Sequence, residues 1–473
     1  MVPPDEGGGL MRADLLVEPV AGLDEVLAVV DAFDRTLVGG LLRPHPTQAG
    51  ALSELAAAVA GTPLAGRVAE AAEKAAAGTA SEDHLVALAA ARTALLGAAH
   101  DALAARAEEA TGRGLGEDAQ AVPVGEGEPV PNLLVAARTW LADLARAGWQ
   151  GIDHDLIADC APVVFAMLPD PTLRRLATLL DGFSAELAAS CPGATLERIP
   201  LRRWADLWSR ALLSTQAPVD AGPAIGTATG RLLPLGVDVQ EHPTAAQAQV
   251  HAVFEPADGG PSRLVRASVS VPKPDTVVGV GVWQLLRPHL SLLTAAGEGR
   301  AMDLTDMPIT TEGDLIWDDA HARTGEPADA FATARVALPT AVAAPTAPLD
   351  RHPTRISIPV FLEGYAVAEE GAPALVLAGH PIPLDVDRIP AASPLTPEAV
   401  ATSTACIGLL RWDAGAFRIQ PLAVETTVKK KTVALHAGAW AGGTTDKLGV
   451  KAEKAATEAV AALRERAGKL LRK

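Results

Sequence analysis

The chain has 473 residues, 49% of them hydrophobic, and a formal charge of −17. Length and hydrophobic content predict two to four packed domains and exclude a disordered polymer; the acidity argues against a phosphate-backbone binder, which needs Lys and Arg to displace counterions. The charge is divided, however: from Lys429 onward the net is +7, and on everything before it −24.

Three cysteines, Cys160, Cys191 and Cys406, form no CxxC and no short metal-ligand spacing. That sparse, odd count predicts free thiols in a reducing cytoplasm, with no disulfide framework and no cofactor held by cysteine. The opening MVPPDEGGGLMRADLL lacks the basic and apolar regions of a signal peptide. Residues 1–12 are expected to form a loose tail, and Met11 would serve equally well as a start. No charge-free run long enough for a membrane span occurs. Ala, Gly, Pro and Arg are favoured and Lys gathers at the end, a bias typical of GC-rich bacterial genomes.

Residues 13–215 predict an α-helical domain. In LDEVLAVVDAFDRTLVGGLL, Leu23, Val26, Leu27, Val30, Phe33 and Leu37 fall at three- and four-residue steps and draw one apolar stripe. Ser81 supplies a capping signal for a helix of some thirty residues, interrupted only by Gly97. GRGLGEDAQAVPVGEGEPVPN then reads as an exposed loop. Helices resume with Leu133, Ala137, Trp140, Leu141 and Leu144 on one face, and Asp170-Pro171 separates two later ones. The last, LRRWADLWSRALLST, places Leu201, Trp204, Leu207, Trp208, Ala211 and Leu212 on one side and Arg202, Arg203, Asp206, Ser209 and Arg210 on the other.

After a Pro/Gly-bearing linker at 216–227 the period changes from 3.6 to 2, and 228–445 predicts a β-rich domain. GRLLPLGVDVQ, AQVHAVFEP, RLVRASVSVP, DAFATARVALP and RISIPVFLEGYAV read as antiparallel strands, and GVWQLLRPHLSLLTAAG as one inserted helix. CIGLLRW and AFRIQPLAVET read as a hairpin around the three-residue turn Asp413-Ala414-Gly415. The Pro-rich joint at 337–354 marks a sub-boundary or an edge segment. Residues 446–473 form a basic amphipathic helix, its apolar side marked by Leu448, Ala452, Ala456, Val460, Leu463, Ala467 and Leu470. The fold class is therefore α+β and multidomain: an all-helical N-terminal domain, then a mainly antiparallel β-rich domain, sandwich or small-barrel-like, with a terminal helix.

The usual catalytic motifs GxSxG, HExxH and GxxxxGK[ST] are absent from the sequence. His154-Asp155, in a helical domain with His84 or His100 upstream and Asp170, Asp181 or Asp206 downstream, offers the ligand types of HD-type metal phosphohydrolases. The plainer alternative has Asp153 capping a helix that begins at an exposed His154. Trp204 and Trp208 either pack the last helix onto its domain or, with Arg203 and Arg210, form an interaction patch of the kind enriched at protein interfaces. Lys429, Lys430 and Lys431 are either a solvated turn that discourages edge pairing or the basic rim of a single-strand-binding barrel. On the second alternative Trp412, Phe417 or Trp440 would offer the stacking face.

The run from LRRWADLWSRALLS into GRLLPLGVDVQEHPTAAQAQVHAVFE resembles proteins of GC-rich bacteria that accompany a MoxR-type AAA+ ATPase, a von Willebrand factor A protein and a SWIM zinc-finger protein. The resemblance implies an accessory or adaptor role beside such an ATPase. None of those partners' ATP-binding, zinc-finger or metal-adhesion motifs stands in this chain. The expected function is thus a non-enzymatic cytoplasmic adaptor binding other proteins, an AAA+ ATPase or von Willebrand factor A protein among them. A nucleic-acid-associated barrel and a helical metal phosphohydrolase are the alternatives.

Overall fold

The computed structural model describes residues 11–113, 132–216, 225–242, 244–274, 277–287, 290–343, 345–368, 372–428, 430–445 and 447–470. The stretch read as an exposed loop lies largely outside these residues, as does most of the linker at 216–227 and the whole of 1–10.

Among the described residues, ten α-helices build the N-terminal half: α1 (Ala13–Val17), α2 (Leu23–Gly39), α3 (Pro46–Ala58), α4 (Ala65–Ala76), α5 (Glu82–Thr111), α6 (Asn132–Ala147), α7 (His154–Ala158), α8 (Cys160–Met167), α9 (Arg174–Ala189) and α10 (Leu201–Ser214). Their stripes meet in a core of Phe33, Leu37, Leu52, Leu88, Trp140, Trp149, Phe183 and Trp208. Helix α5 starts where Ser81 Oγ accepts the His84 amide, satisfying one of the first-turn donors that a helix leaves open. It is long enough to serve two cores. Leu85, Leu88, Leu95 and Leu96 belong to the bundle, whereas Ala99, Leu103, Ala107 and Ala110 pack with the C-terminal half.

The C-terminal half begins with β1 (Ile225–Glu241), β2 (Ala245–Pro256) and β3 (Arg263–Pro272), continues through α11 (Val280–Leu285) and α12 (Leu290–Glu298), and adds β4 (Arg300–Thr310), β5 (Asp314–Leu315) and β6 (Ala322–Pro327). Every pairing among these strands is antiparallel except β3 with β5. Because β1 also pairs with β4, the order β1-β2-β3-β5-β4-β1 closes into a barrel, with β6 added outside β4. That is the connectivity of the OB-fold, a small Greek-key barrel. Irregularities in the β1 register at Ala228/Gly230 and Pro234/Gly236 let one long strand bend from β4 to β2. Inward positions alternate along β2 and β3 as Ala246, Ala248, Val250, Ala252 and Val265, Ala267, Val269, and Trp283, Leu286, Leu292 and Leu293 from the intervening helices join the same core.

Next come α13 (Ala330–Val336), β7 (Ile358–Glu363), β8 (Ala366–Val367), β9 (Ala374–Leu377), β10 (His380–Pro383), α14 (Pro397–Ala401), β11 (Ser403–Asp413), β12 (Ala416–Val428), β13 (Lys431–His436) and α15 (Lys447–Leu470). Strands β13-β12-β11-β7 form a second antiparallel sheet, and β10-β9-β8 a smaller one. Alternation along β11 sends Ala405 and Ile407 towards the barrel's outer face, with Leu233, Leu235 and Val253, and Cys406 and Leu410 towards the small sheet, α1 and the end of α5. The sheet and barrel approach so closely at Gly236 that a Cβ there would stand 2.7 Å from Leu422 Cβ.

Three expectations need correction. DAFATARVALP carries a helix, α13, because Asp329 caps the amides of Phe331 and Ala332 and alanine favours the helical state. The single inserted helix is two, α11 and α12. The hairpin turn has two residues, since Asp413 pairs with Ala416; Ala414 and Gly415 take φ of 50° and 81°, the left-handed pair that matches strand twist.

Candidate interaction surfaces

Helix α10 settles the tryptophan question by geometry. Trp204 and Trp208 are 1% and 0% exposed. Trp208 Nε1 donates to the Leu141 carbonyl at 2.9 Å, and Trp204 Nε1 to Glu186 at 3.2 Å. Trp204 meets Trp149 edge-on at 5.7 Å between centroids, and Trp208 lies 6.5 Å from the Phe33 ring. Satisfied, enclosed indoles are packing residues. The interaction-patch alternative is therefore corrected for Trp204 and Trp208. Arg203 does stay on the surface, paired with Glu186 at 2.7 Å, whereas the Arg210 side chain is only 13% exposed.

Arg210 turns inward because a carboxylate from the other half of the chain meets it. Asp350, within the Pro-rich joint, lies 2.7 Å from Arg210, 3.5 Å from Arg355 and 3.8 Å from Arg175. Burial alone would raise the Asp350 pKa, but those arginines outweigh it and hold the carboxyl below its ordinary value. Burial, reinforced by Arg210, lowers Arg355 in turn. Arg210 also reaches Asp206 at 3.3 Å; Asp206 stands 3.8 Å from Arg92, which makes a two-pronged, fully buried pair with Asp34 at 2.6 and 3.0 Å. Arg351 pairs with Asp101 of α5 at 3.2 Å. The Pro-rich joint is thus strapped to the helical half by ion pairs. Beside them Asp31, Asp34, Arg35, Ile199, Pro200, Leu201, Arg202 and Arg203 line a shallow cleft of about 360 Å³, already occupied in part by the Arg202–Asp31 pair.

A second polar cluster lies between barrel and sheet. Asp238 of β1 accepts from Arg411 of β11 at 2.8 Å and from Gln420 of β12 at 2.7 Å, while Gln420 also accepts from Arg411. His251 of β2 is enclosed beside them, its Nε2 without a hydrogen-bond partner, and burial pushes its pKa down to about 3. Burial tends to raise Asp238, yet Arg411, Gln420 and Gln240 leave it below the ordinary carboxylate value. The imidazole is therefore neutral and the Asp238–Arg411 pair ionised. Nothing local marks these residues, because their partners lie 173 and 182 positions apart.

The nucleic-acid alternative asked for a basic rim and a stacking face. Phe417 and Trp440 are buried and Trp412 half-buried, so they do not present one. On β2 and β3 the barrel's outward side chains include Gln247, Gln249, Ser268 and Ser270, without rings, and Arg266, which is paired with Asp314 at 2.9 Å; the part around Val253 and Leu264 is covered by the second sheet. Lys430 and Lys431 are exposed at the β12–β13 turn, where Lys430 has φ 65°; Lys429 lies outside the described residues.

For the metal alternative, Asp153 accepts the Leu156 amide and caps α7, and His154 and Asp155 are exposed on its first turn. His84 is engaged with Ser81 at the start of α5, and Asp206 with Arg210. Among the described residues no group of three or more His, Cys, Asp or Glu is placed to hold a metal ion. The suggested co-ligands thus do not assemble around His154 and Asp155.

Helix α15 is the remaining surface element. Its first half is anchored to α11: Gln284 donates to Thr457 Oγ1 at 3.0 Å, Arg287 lies 3.9 Å from Glu453, and Ala452 packs on the barrel core. From Glu458 onward the described side chains are exposed or half-exposed, with Leu463 37% exposed. Among the described residues no helix is long and apolar enough to cross a membrane. Comparison of the chain with protein families, with curated proteins and with solved structures finds no match.

Proposed function

We propose that the protein is a non-enzymatic adaptor that works through protein–protein contact, with the free half of α15 as its docking element. The observation that carries this is a 24-residue helix packed on α11 through its first half, with Val460 half-buried and Leu463 37% exposed on its second. A helix holds such a face in water at a cost that docking removes. No cofactor enters this function. The resemblance of the Leu201–Glu255 region to proteins accompanying a MoxR-type AAA+ ATPase makes that ATPase, or a von Willebrand factor A protein, the partner to assay first. Three free thiols suit a reducing cytoplasm.

The OB-like connectivity favours a second function, nucleic-acid association, because such barrels often bind single strands. The outer face of β2 and β3, without exposed rings and with Arg266 already paired to Asp314, weighs against it. Removing residues 447–473 tests the first proposal. Proteins captured from the native host by the full chain should be lost from the shortened one; an unchanged captured set would sink it.

A further inference from the structure

We infer that the free half of α15 docks an acidic amphipathic helix of its partner, an inference that rests on the adaptor function proposed above. In the sequence of α15 the apolar positions Ala456, Val460, Leu463, Ala467 and Leu470 follow steps of four, three, four and three; Val460 is half-buried and Leu463 exposed. That is the 3.5-residue spacing of a helix seam rather than the broader stripe of a helix packed on a globular core. Nearer the start, Ala452 and Ala456 step by four and lie towards the barrel core and α11, whereas Leu448, expected on the same side, is 72% exposed.

The flanks of the seam state the partner's charge. With Val460 and Leu463 as seam positions, Arg464 and Arg466 stand on its two sides, where the neighbouring helix's charges would face them. Both are exposed, and neither makes an ion pair among the described residues. Glu465, between them in sequence, lies on the opposite face and is bound to Lys469 at 2.6 Å. No carboxylate on this part of the helix therefore compensates the flanking arginines. The same helix of a second copy would bring none either, since its own flanks carry the same arginines. A partner helix with Asp or Glu beside an apolar seam supplies both the missing charge and the missing cover.

Reach removes the obstacle that the rest of the protein is acidic. Arg464 and Arg466 stand about 9 and 12 Å beyond Glu458 at 1.5 Å per residue, past the screening length of about 8 Å at physiological ionic strength. An acidic partner can meet the arginines without facing the −24 carried before Lys429. Two heptads bury less than a standard interface, so the contact is of the transient class.

The test uses the full chain and two labelled synthetic peptides of three heptads with the same Leu/Ala seam, one flanked by Glu and one by Lys, followed by fluorescence anisotropy. The Glu-flanked peptide is expected to bind at least about tenfold more tightly than the Lys-flanked one, with an affinity that falls as salt rises. R464E/R466E, at exposed positions that should leave helix content by circular dichroism unchanged, should reverse the preference. Equal binding of both peptides, binding of neither, or a dimer in sedimentation that L463E dissolves would each overturn the inference. Loss of native partners on removing residues 447–473 without any peptide preference would leave the adaptor function standing and remove only the acidic helix; peptide preference with no partner lost would do the reverse.

Discussion

In the helical half the core is closed by large rings, Trp140, Trp149, Trp204 and Trp208 with Phe33 and Phe183, whereas the barrel's β2 and β3 turn inward mainly Ala246, Ala248, Ala252 and Ala267 with Val250, Val265 and Val269, beside Phe254 and the Met302 and Met307 of β4. The difference follows from curvature. A five-stranded barrel narrows towards its axis and admits small inward side chains, its ends being filled by Trp283, Leu286 and Leu292 from α11 and α12. Alanine-rich helices such as α4 and α5 approach closely, whereas the space among α2, α6, α9 and α10 is filled by a few large rings. Stability in the bundle is therefore concentrated in single residues, and in the barrel it is spread over many.

The contrast can be broken most directly by truncation. Trp208→Ala should cost about 3–5 kcal/mol, and Val250→Ala less than half of that; denaturant midpoints measure both, and equal losses would end the contrast. The next effect belongs to the barrel's junction with the second sheet. His251 is neutral in the fold with a pKa of about 3, against about 6.5 when unfolded. Its contribution is complete above about pH 6.5 and declines as pH falls towards 3, because only the unfolded chain takes up the proton. His251→Gln should flatten the stability decline between about pH 6.5 and 4, above the range where carboxylates dominate; a limb as steep as the parent's would remove His251 as its origin. The smallest effects lie at the strap. Asp350→Ala should cost about 1 kcal/mol and lose much of that cost at high salt, because the ion pairs are partly wet, while Arg203→Ala should stay within about 0.5 kcal/mol. Melting temperatures at two salt concentrations distinguish the two sites.

The same contrast governs what could be read from the sequence. Helical stripes such as Leu23–Leu37 and the Ser81 cap are local patterns, and α2 and α5 appear where they place them. Strand periodicity located β1, β2, β3 and the β11–β12 hairpin, but barrel closure depends on a two-residue β5 pairing in parallel with β3, which leaves no periodic trace. DAFATARVALP misled because its Thr and Val suggested a strand, while the decisive contribution is the Asp329 cap. At the candidate sites the apolar side of α10 was legible, whereas the stripe read along α15 placed Leu448 on its apolar side and the structure leaves it 72% exposed. The inward turn of Arg210 was not legible, because its cause, Asp350, stands 140 residues away.

Helix α5 joins the two halves by packing in the core of each. Its first half belongs to the bundle, while Ala99, Leu103, Ala107 and Ala110 are shared with Ile356, Leu375 and Leu410. A chain divided between 216 and 225 would leave each piece with a greasy scar, α5 bare on one and the small sheet bare on the other. Genetic exchange at that seam would thus yield two aggregating fragments rather than two portable modules, and recombination is expected to respect the pair as one inherited unit.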